Sequence, residues 1–184
     1  ALPIYFSYYK VILTILIFHI GIFKNYLYLC RKIRCMAYKV VDLFAGVGGL
    51  SYGFAHDLDF EIVAANELLE PMARAYSANH PSVKVYNKDI KEFSIEDLTK
   101  DLGLHSGDID IVVGGPPCQA YSTVGKRLID DPRGALFKEY FRMLKEIRPR
   151  LFVFENVKGL LSIQKGELIK QIKALFESIG YRVD

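Results

Sequence analysis

The chain is predicted to fold as an α/β domain built on a doubly wound, mostly parallel sheet. Three observations predict it. From Tyr38 onward, short apolar runs alternate with amphipathic segments of helical length. Gly and Pro punctuate the junctions between them. A glycine-rich turn, Asp42-Leu-Phe-Ala-Gly-Val-Gly-Gly49, directly follows the first apolar run, the place where such sheets bind nucleotide-like ligands.

The elements follow in order. Tyr38–Phe44 reads as a buried strand ending in the glycine turn, and Leu50–His56 as helical. Glu61–Ala65 is a second strand, and Pro71–Asn79 a helix that Pro71 can start at its first turn. Val83–Tyr86 is a third strand. Ser94–Leu102 is a helix with Ser94 as N-cap and Gly103 as its stop. The β-branched run in Ile109–Val113 reads as a fourth strand buried on both faces. A long Gly/Pro loop, Gly114–Arg133, leads to an amphipathic helix, Ala135–Ile147, which carries Leu136, Tyr140, Met143, Leu144 and Ile147 on one side. Pro149 closes it. Leu151–Phe154 is a fifth strand and Glu167–Ile179 a helix closed by Gly180, after which Tyr181–Asp184 reads as the start of a strand.

Composition bounds the function. With 184 residues, 51% of them hydrophobic, the chain can bury a real core. Its net charge of +3 is unevenly spread: Ala1–Cys35 carries Lys10, Lys24, Arg31, Lys32 and Arg34 and no acid. Met36–Asp184 is therefore slightly acidic, which excludes a uniformly basic nucleic-acid clamp. Cys30, Cys35 and Cys118 form no disulfide framework, and the four histidines show no metal spacing with them. A reduced, cytoplasmic setting is expected, without a metal. Val11–Phe23 is an apolar run interrupted by His19, too short for a spanning helix and without the pattern of a signal peptide. Because Met36 directly precedes the first orderly strand, residues 1–35 read as mistranslated upstream sequence. An interfacial helix and an appended packing segment are the alternatives.

The chemistry-bearing residues gather at predicted strand ends. Gly46, Gly48 and Gly49 let the backbone turn sharply and approach a ligand. Glu67 stands 21 residues after Gly46, where an acid can hold two ribose hydroxyls; a solvated strand end is its bland reading. Asp89 follows the third strand, able to accept from an adenine amino group or simply to form a turn. Cys118 lies in a loop behind Pro116 and Pro117, which remove backbone donors and stiffen the approach, a costly construction for mere packing. An unperturbed thiol is only ~3% thiolate at neutral pH, so this one needs activation or a reactive partner. Glu155, 37 residues later, can assist by sharing a proton with the substrate. The combination points to covalent chemistry on a flat electrophile, assisted by a nucleotide-like cofactor.

Four segments carry a resemblance. Asp42–Gly49 (DLFAGVGG), Gly114–Ser122 (GGPPCQAYS), Arg133–Phe137 (RGALF) and Phe154–Val157 (FENV) resemble, in order, motifs of the cytosine carbon-5 DNA methyltransferases. The resemblance runs from about Lys39 to Asp184. It implies a Rossmann-like fold and S-adenosyl-L-methionine as cofactor. By position, Cys118 resembles the nucleophile that attacks carbon 6 of cytosine, Glu155 the group that binds ring nitrogen 3, and Asn156 a brace for the nucleophile loop. Phe44, Ala45, Gly46, Gly48 and Gly49 resemble the cofactor cradle, Glu67 the ribose ligand, Asp89 and Ile90 the adenine contacts, and Pro117 and Leu136 further walls. The position after Glu67 is often aromatic in the family; here it is Leu68, which implies a weaker adenine contact. The partner implied is duplex DNA with the target base flipped out. Gln119 and Ser122 would then lie in a loop that closes over it, with Lys126 and Arg127 at phosphates.

The family's later basic motif, target-recognition domain and final helix have no counterpart here. The expectation is the N-terminal part of a restriction-modification enzyme, needing a second chain for recognition, or a remnant that binds cofactor without turnover. An enzyme acting on transfer RNA shares the same motifs and is the alternative within the enzymes.

Overall fold

A computed structural model describes residues 37–117, 135–156 and 166–183. The chain divides into two units, Ala1–Ala37 and Tyr38–Asp184, and all but the last residue of the first lies outside the described residues, as do the expectations for residues 1–35.

Five strands form one sheet: β1 (Tyr38–Leu43), β2 (Phe60–Asn66), β3 (Lys84–Tyr86), β4 (Ile111–Gly114) and β5 (Leu151–Phe154). Their order is β3-β2-β1-β4-β5, and every pairing is parallel. Helices α1 (Tyr52–Ala55), α2 (Glu70–Asn79), α3 (Ile95–Leu102) and α4 (Ala135–Ile147) fall between successive strands, and α5 (Glu167–Glu177) follows β5. The chain leaves β1 toward β3, then returns to pair β4 on the other side of β1. That reversal makes the β1–β4 junction the switch point where doubly wound sheets open a crevice.

The strand periodicity divides the core. Val41 and Leu43 join the main cluster with Tyr140, Met143, Leu144 and Ile147 of α4 and Phe176 of α5. Val40 and Asp42 point the other way, by strand alternation, toward the smaller cluster that includes Ala65 and Tyr76. Phe176, at 1% exposure, lies within about 6.3 Å, centroid to centroid, of Phe137, Tyr140, Phe141, Phe152 and Phe154. Such aromatic clusters add edge-to-face attraction to burial.

Local signals placed most elements correctly. Pro71 sits in the first turn of α2. Ser94 and Asp97 form a capping box on α3, and Gly103 ends it in the left-handed region at φ 66°. Three expectations need correction. The helix expected at Leu50–His56 is helical only at Tyr52–Ala55, with Ser51 as its N-cap and His56 as its C-cap. The fourth strand pairs over Ile111–Gly114 instead of Ile109–Val113. Ile109 is fully buried, but Asp110 ends the ladder there: its carboxylate accepts the Lys39 N–H at 3.0 Å and its carbonyl accepts from Arg150 and Leu151. Apolar periodicity reports burial, not pairing. Finally, Tyr181–Val183 is not strand. Tyr181 instead donates its hydroxyl to Pro149 O at 2.7 Å and sets its ring edge-on to Phe152.

Truncating the ring at the centre of the aromatic cluster tests this packing. Phe176→Ala should cost about 3–5 kcal/mol in urea unfolding, whereas a loss below about 1 kcal/mol would show that the cluster is not a core.

Candidate active site

Because all five strands are parallel, their carboxyl ends share one rim, and each delivers a segment with useful chemistry. β1 runs into the glycine turn. β2 ends at Asn66, with Glu67 next. β3 leads to Asp89, β4 to Gly115, Pro116 and Pro117, and β5 to Glu155 and Asn156.

The turn is built on positive φ angles: Phe44 at 57°, Gly46 at 56° and Gly48 at 92°. Phe44 adopts this conformation without the freedom of glycine, a local strain that the flanking contacts must hold. The turn's own backbone bonds are Gly48 N–H to Ala45 O (3.0 Å) and Tyr52 N–H to Gly48 O (3.0 Å), with Ala45 N–H to Asn66 O (3.1 Å) tying it to β2. A side chain placed at Gly46 or Gly49 would meet nothing within 4 Å. The turn therefore has open space beside it.

Glu67 is buried, at 8% exposure, and both carboxylate oxygens are fixed by backbone donors. Oε2 accepts from Gly46 N–H and Oε1 from Leu69 N–H, each at 2.8 Å. Each oxygen keeps a second lone-pair direction for a ligand hydroxyl. Asn87 Nδ2 donates to the carbonyls of Glu67 and Leu68 at 2.9 Å, and Asn66 Nδ2 donates to those of Tyr86 (3.1 Å) and Lys88 (2.9 Å). These two asparagines stitch the rim of β2 to that of β3. Leu68 is 59% exposed. Asp89 caps a single 3₁₀ turn, Ile90–Glu92, accepting the Lys91 N–H at 3.0 Å. Ile90 is buried in the main core, and its carbonyl accepts from Arg142 Nη2 at 2.7 Å. The same guanidinium reaches Phe93 O, Glu139 and Glu146, so α4 holds this segment in place.

The β4 and β5 ends are tied together. Glu155 N–H donates to Gly114 O at 2.9 Å, and Asn156 Nδ2 donates to Pro116 O at 3.1 Å. Gly115 lies so close to Glu155 that an added Cβ would stand 2.6 Å from Oε2. Glu155 is exposed, Pro116 buried and Pro117 exposed. Leu136, half-buried, packs on the main core. Cys118, Gln119, Ser122, Lys126, Arg127, the other residues through Gly134, and Val157 lie outside the described residues. Among the described residues there is no group of three or more metal-capable side chains, and no helix is long and apolar enough to cross a membrane.

One acid was missed in the sequence. Asp42, only 1% exposed, accepts from Ser51 Oγ through Oδ2, while Oδ1 has no hydrogen-bond partner among the described residues. Tyr76 OH donates in turn to Ser51 Oγ at 2.9 Å. Burial pushes the Asp42 carboxyl up to about 8, the Glu67 charge adds to the rise, and the Tyr76 hydroxyl opposes it. A neutral acid is the cheaper occupant of a site that leaves one oxygen unpaired. The signal was available: Asp42 is the lone acid within the apolar run Tyr38–Phe44.

The folded chain keeps the Asp42 proton up to about pH 8, while the unfolded chain releases it near pH 4. The contribution is fully present below pH 4 and is lost as pH rises to 8, at no more than ~1.4 kcal/mol per pH unit. Chemical unfolding of Asp42→Asn from pH 5 to 8 should lack this component, so its stability gains on the wild type with rising pH. Parallel profiles would contradict the assignment.

Residues 38–184 match the C-5 cytosine-specific DNA methylase family. The chain is 45% identical over 146 residues to the Type II methyltransferase M.FnuDI of Fusobacterium nucleatum, covering 79% of this chain and 40% of that protein. It is 40% identical over 146 residues to the Type II methyltransferase M.AgeI of Thalassovita gelatinovora, covering 79% and 34%. A solved structure of a prophage-encoded E. coli protein, assigned as a DNA modification methyltransferase, superposes with a TM-score of 0.62 at 29% identity, over 77% of this chain and 38% of that one. The chain thus spans about a third to two fifths of the length of these relatives. The chain belongs to the C-5 cytosine-specific DNA methylase family.

Proposed function

We propose that this chain carries the cofactor-binding and nucleophile-bearing part of an enzyme that methylates carbon 5 of cytosine in duplex DNA, of the restriction-modification type. The observation that carries the reading is the tie between the β4 and β5 ends. Asn156 holds Pro116 at 3.1 Å, and Glu155 Oε2 lies against Gly115. The segment leading to Cys118 and the segment bearing Glu155 therefore occupy one place on the rim, beside the glycine turn.

The residues fit S-adenosyl-L-methionine. The open face at Gly46 and Gly49 leaves room for a backbone-hugging ligand, and the buried Glu67 carboxylate offers acceptors for two ribose hydroxyls. The rim from Leu68 to Asp89 takes the base, with a weak apolar contact from Leu68. When bound, the cofactor supplies the methyl group.

The chain's own residues do the rest. The Cys118 thiolate adds to carbon 6 of a flipped cytosine, and Glu155 hydrogen-bonds ring nitrogen 3 and shares its proton. Electron density then builds at carbon 5, which takes the methyl group. Loss of the carbon-5 proton to a base expels the thiolate and restores the aromatic ring. Asn156 positions the nucleophile segment through Pro116. Recognition of the DNA sequence falls to a second chain or segment, and the lack of disulfide spacing among the cysteines supports a cytoplasmic setting.

Radiolabelled methyl transfer to duplex DNA tests the chemistry. Cys118→Ser should remove it entirely while leaving cofactor affinity within about twofold, because serine lacks the nucleophilic thiolate. Transfer surviving in Cys118→Ser, or transfer to RNA and not to DNA, would contradict the proposal. Glu67→Gln should weaken cofactor binding by about tenfold or more, because charge-assisted bonds are the strong ones. Unchanged affinity by calorimetry would remove Glu67 from the site.

A further inference from the structure

α2 and its C-cap residue lean on the glycine turn with three side chains that have no part in the chemistry above: Tyr76 and Asn79, three residues apart on one face of the helix, and His80 just past its end. Each touches a different part of the turn. Tyr76 OH donates to Ser51 Oγ at 2.9 Å, and Ser51 Oγ donates to Asp42 Oδ2. Asn79 Nδ2 donates to Val47 O at 2.8 Å. The His80 ring fills the space beside Gly48, where an added Cβ would lie 2.4 Å from Nε2, and Nε2 stands 3.4 Å from Gly48 O. The Tyr76 and His80 rings pack together with centroids 4.6 Å apart.

This set does more than fill a core. Packing alone would be satisfied by a phenyl ring at position 76, yet Tyr76 is fully buried and its hydroxyl heads a one-way chain into Asp42. A buried hydroxyl is tolerated only where it is bonded. The chain begins on α2, passes through Ser51 after the turn, and ends on the last part of β1 before it. It therefore clamps both ends of a segment whose backbone, at Phe44, Gly46 and Gly48, is held in left-handed conformations.

We propose that the Tyr76–Ser51–Asp42 chain, backed by Asn79 and His80, sets the shape of the glycine turn, and that Tyr76 is thereby a positioning residue for the cofactor. The proposal rests on the cofactor reading above. In effect α2 is a splint: it fixes the Gly46 amide against Glu67 Oε2, so the turn and the ribose acceptor keep one relative placement.

Amide hydrogen exchange on the full chain without cofactor, followed by calorimetry with S-adenosyl-L-homocysteine, tests it. Tyr76→Phe should speed exchange at Gly46, Gly48 and Tyr52 by about tenfold, the usual worth of one buried hydrogen bond, and leave Val41 and Val112 unchanged. The dissociation constant should rise by a similar factor. Ser51→Ala should behave alike, and the double variant should add little, as members of one network do. Tyr86→Phe, whose hydroxyl bonds Asp97 O at 3.3 Å away from the turn, should alter neither readout. Exchange that is unchanged at the turn, or that accelerates equally at Val112, would overturn the proposal, as would faster exchange with unchanged affinity. Failure of the wild type to bind at all would contradict the cofactor reading, while the exchange data would still decide whether Tyr76 shapes the turn.

Discussion

Parallel pairing on both sides of β1 is the constraint from which the rest of the structure follows. A parallel strand must be reached by a crossover, so every carboxyl end faces the same way. Glycine turn, Glu67, Asp89, the Pro116–Pro117 segment and Glu155 are far apart in the chain, yet this single constraint brings them to one rim. β1 stands at the centre of the order β3-β2-β1-β4-β5, with Glu67 and Asp89 on one side and the Pro116–Pro117 segment and Glu155 on the other. The switch point between β1 and β4 lies between the two sets. Transfer of a group from one ligand to another needs such an arrangement, two adjoining half-sites on a rigid support.

The rim is stiffened by short polar ties that do not themselves react. Asn66 and Asn87 join the ends of β2 and β3, and Arg142 holds the Ile90–Phe93 segment from α4. Asn156 joins the ends of β4 and β5. The Asp42–Ser51–Tyr76 chain performs the same service for the glycine turn from the opposite face of the sheet. Preorganisation of this kind matters because a site loosened by even 1 Å loses much of its effect.

The fold was legible in the sequence because its local signals agree with each other. Pro71, Ser94, Gly103 and Pro149 all mark boundaries at or within a residue or two of those observed. Burial was legible too, which is why Ile109 was taken into a strand that it only precedes. What the sequence hid were side-chain choices made by tertiary contacts. Nothing local says that the Ser51 hydroxyl turns inward to Asp42, or that Tyr181 closes onto Pro149 in place of starting a strand. Of the candidate site, what was legible was placement: Glu67 stands just past a strand end, and Asn156 reaches Pro116. The Asn66, Asn87 and Tyr76 ties were not, since each depends on residues 19 or more positions away.

The central claim is that the rim between the glycine turn and Asp89 is a cofactor site. Mapping amide chemical shifts of the full chain during titration with S-adenosyl-L-methionine tests it most directly. The account predicts saturable changes centred on Gly46, Gly49, Leu69 and the Asp89–Ile90 segment, with the Gly46 and Leu69 amides reporting on Glu67, whose oxygens they hold. Changes confined to the amino ends of the strands, near Lys39 and Asp110, or no saturable change, would contradict it.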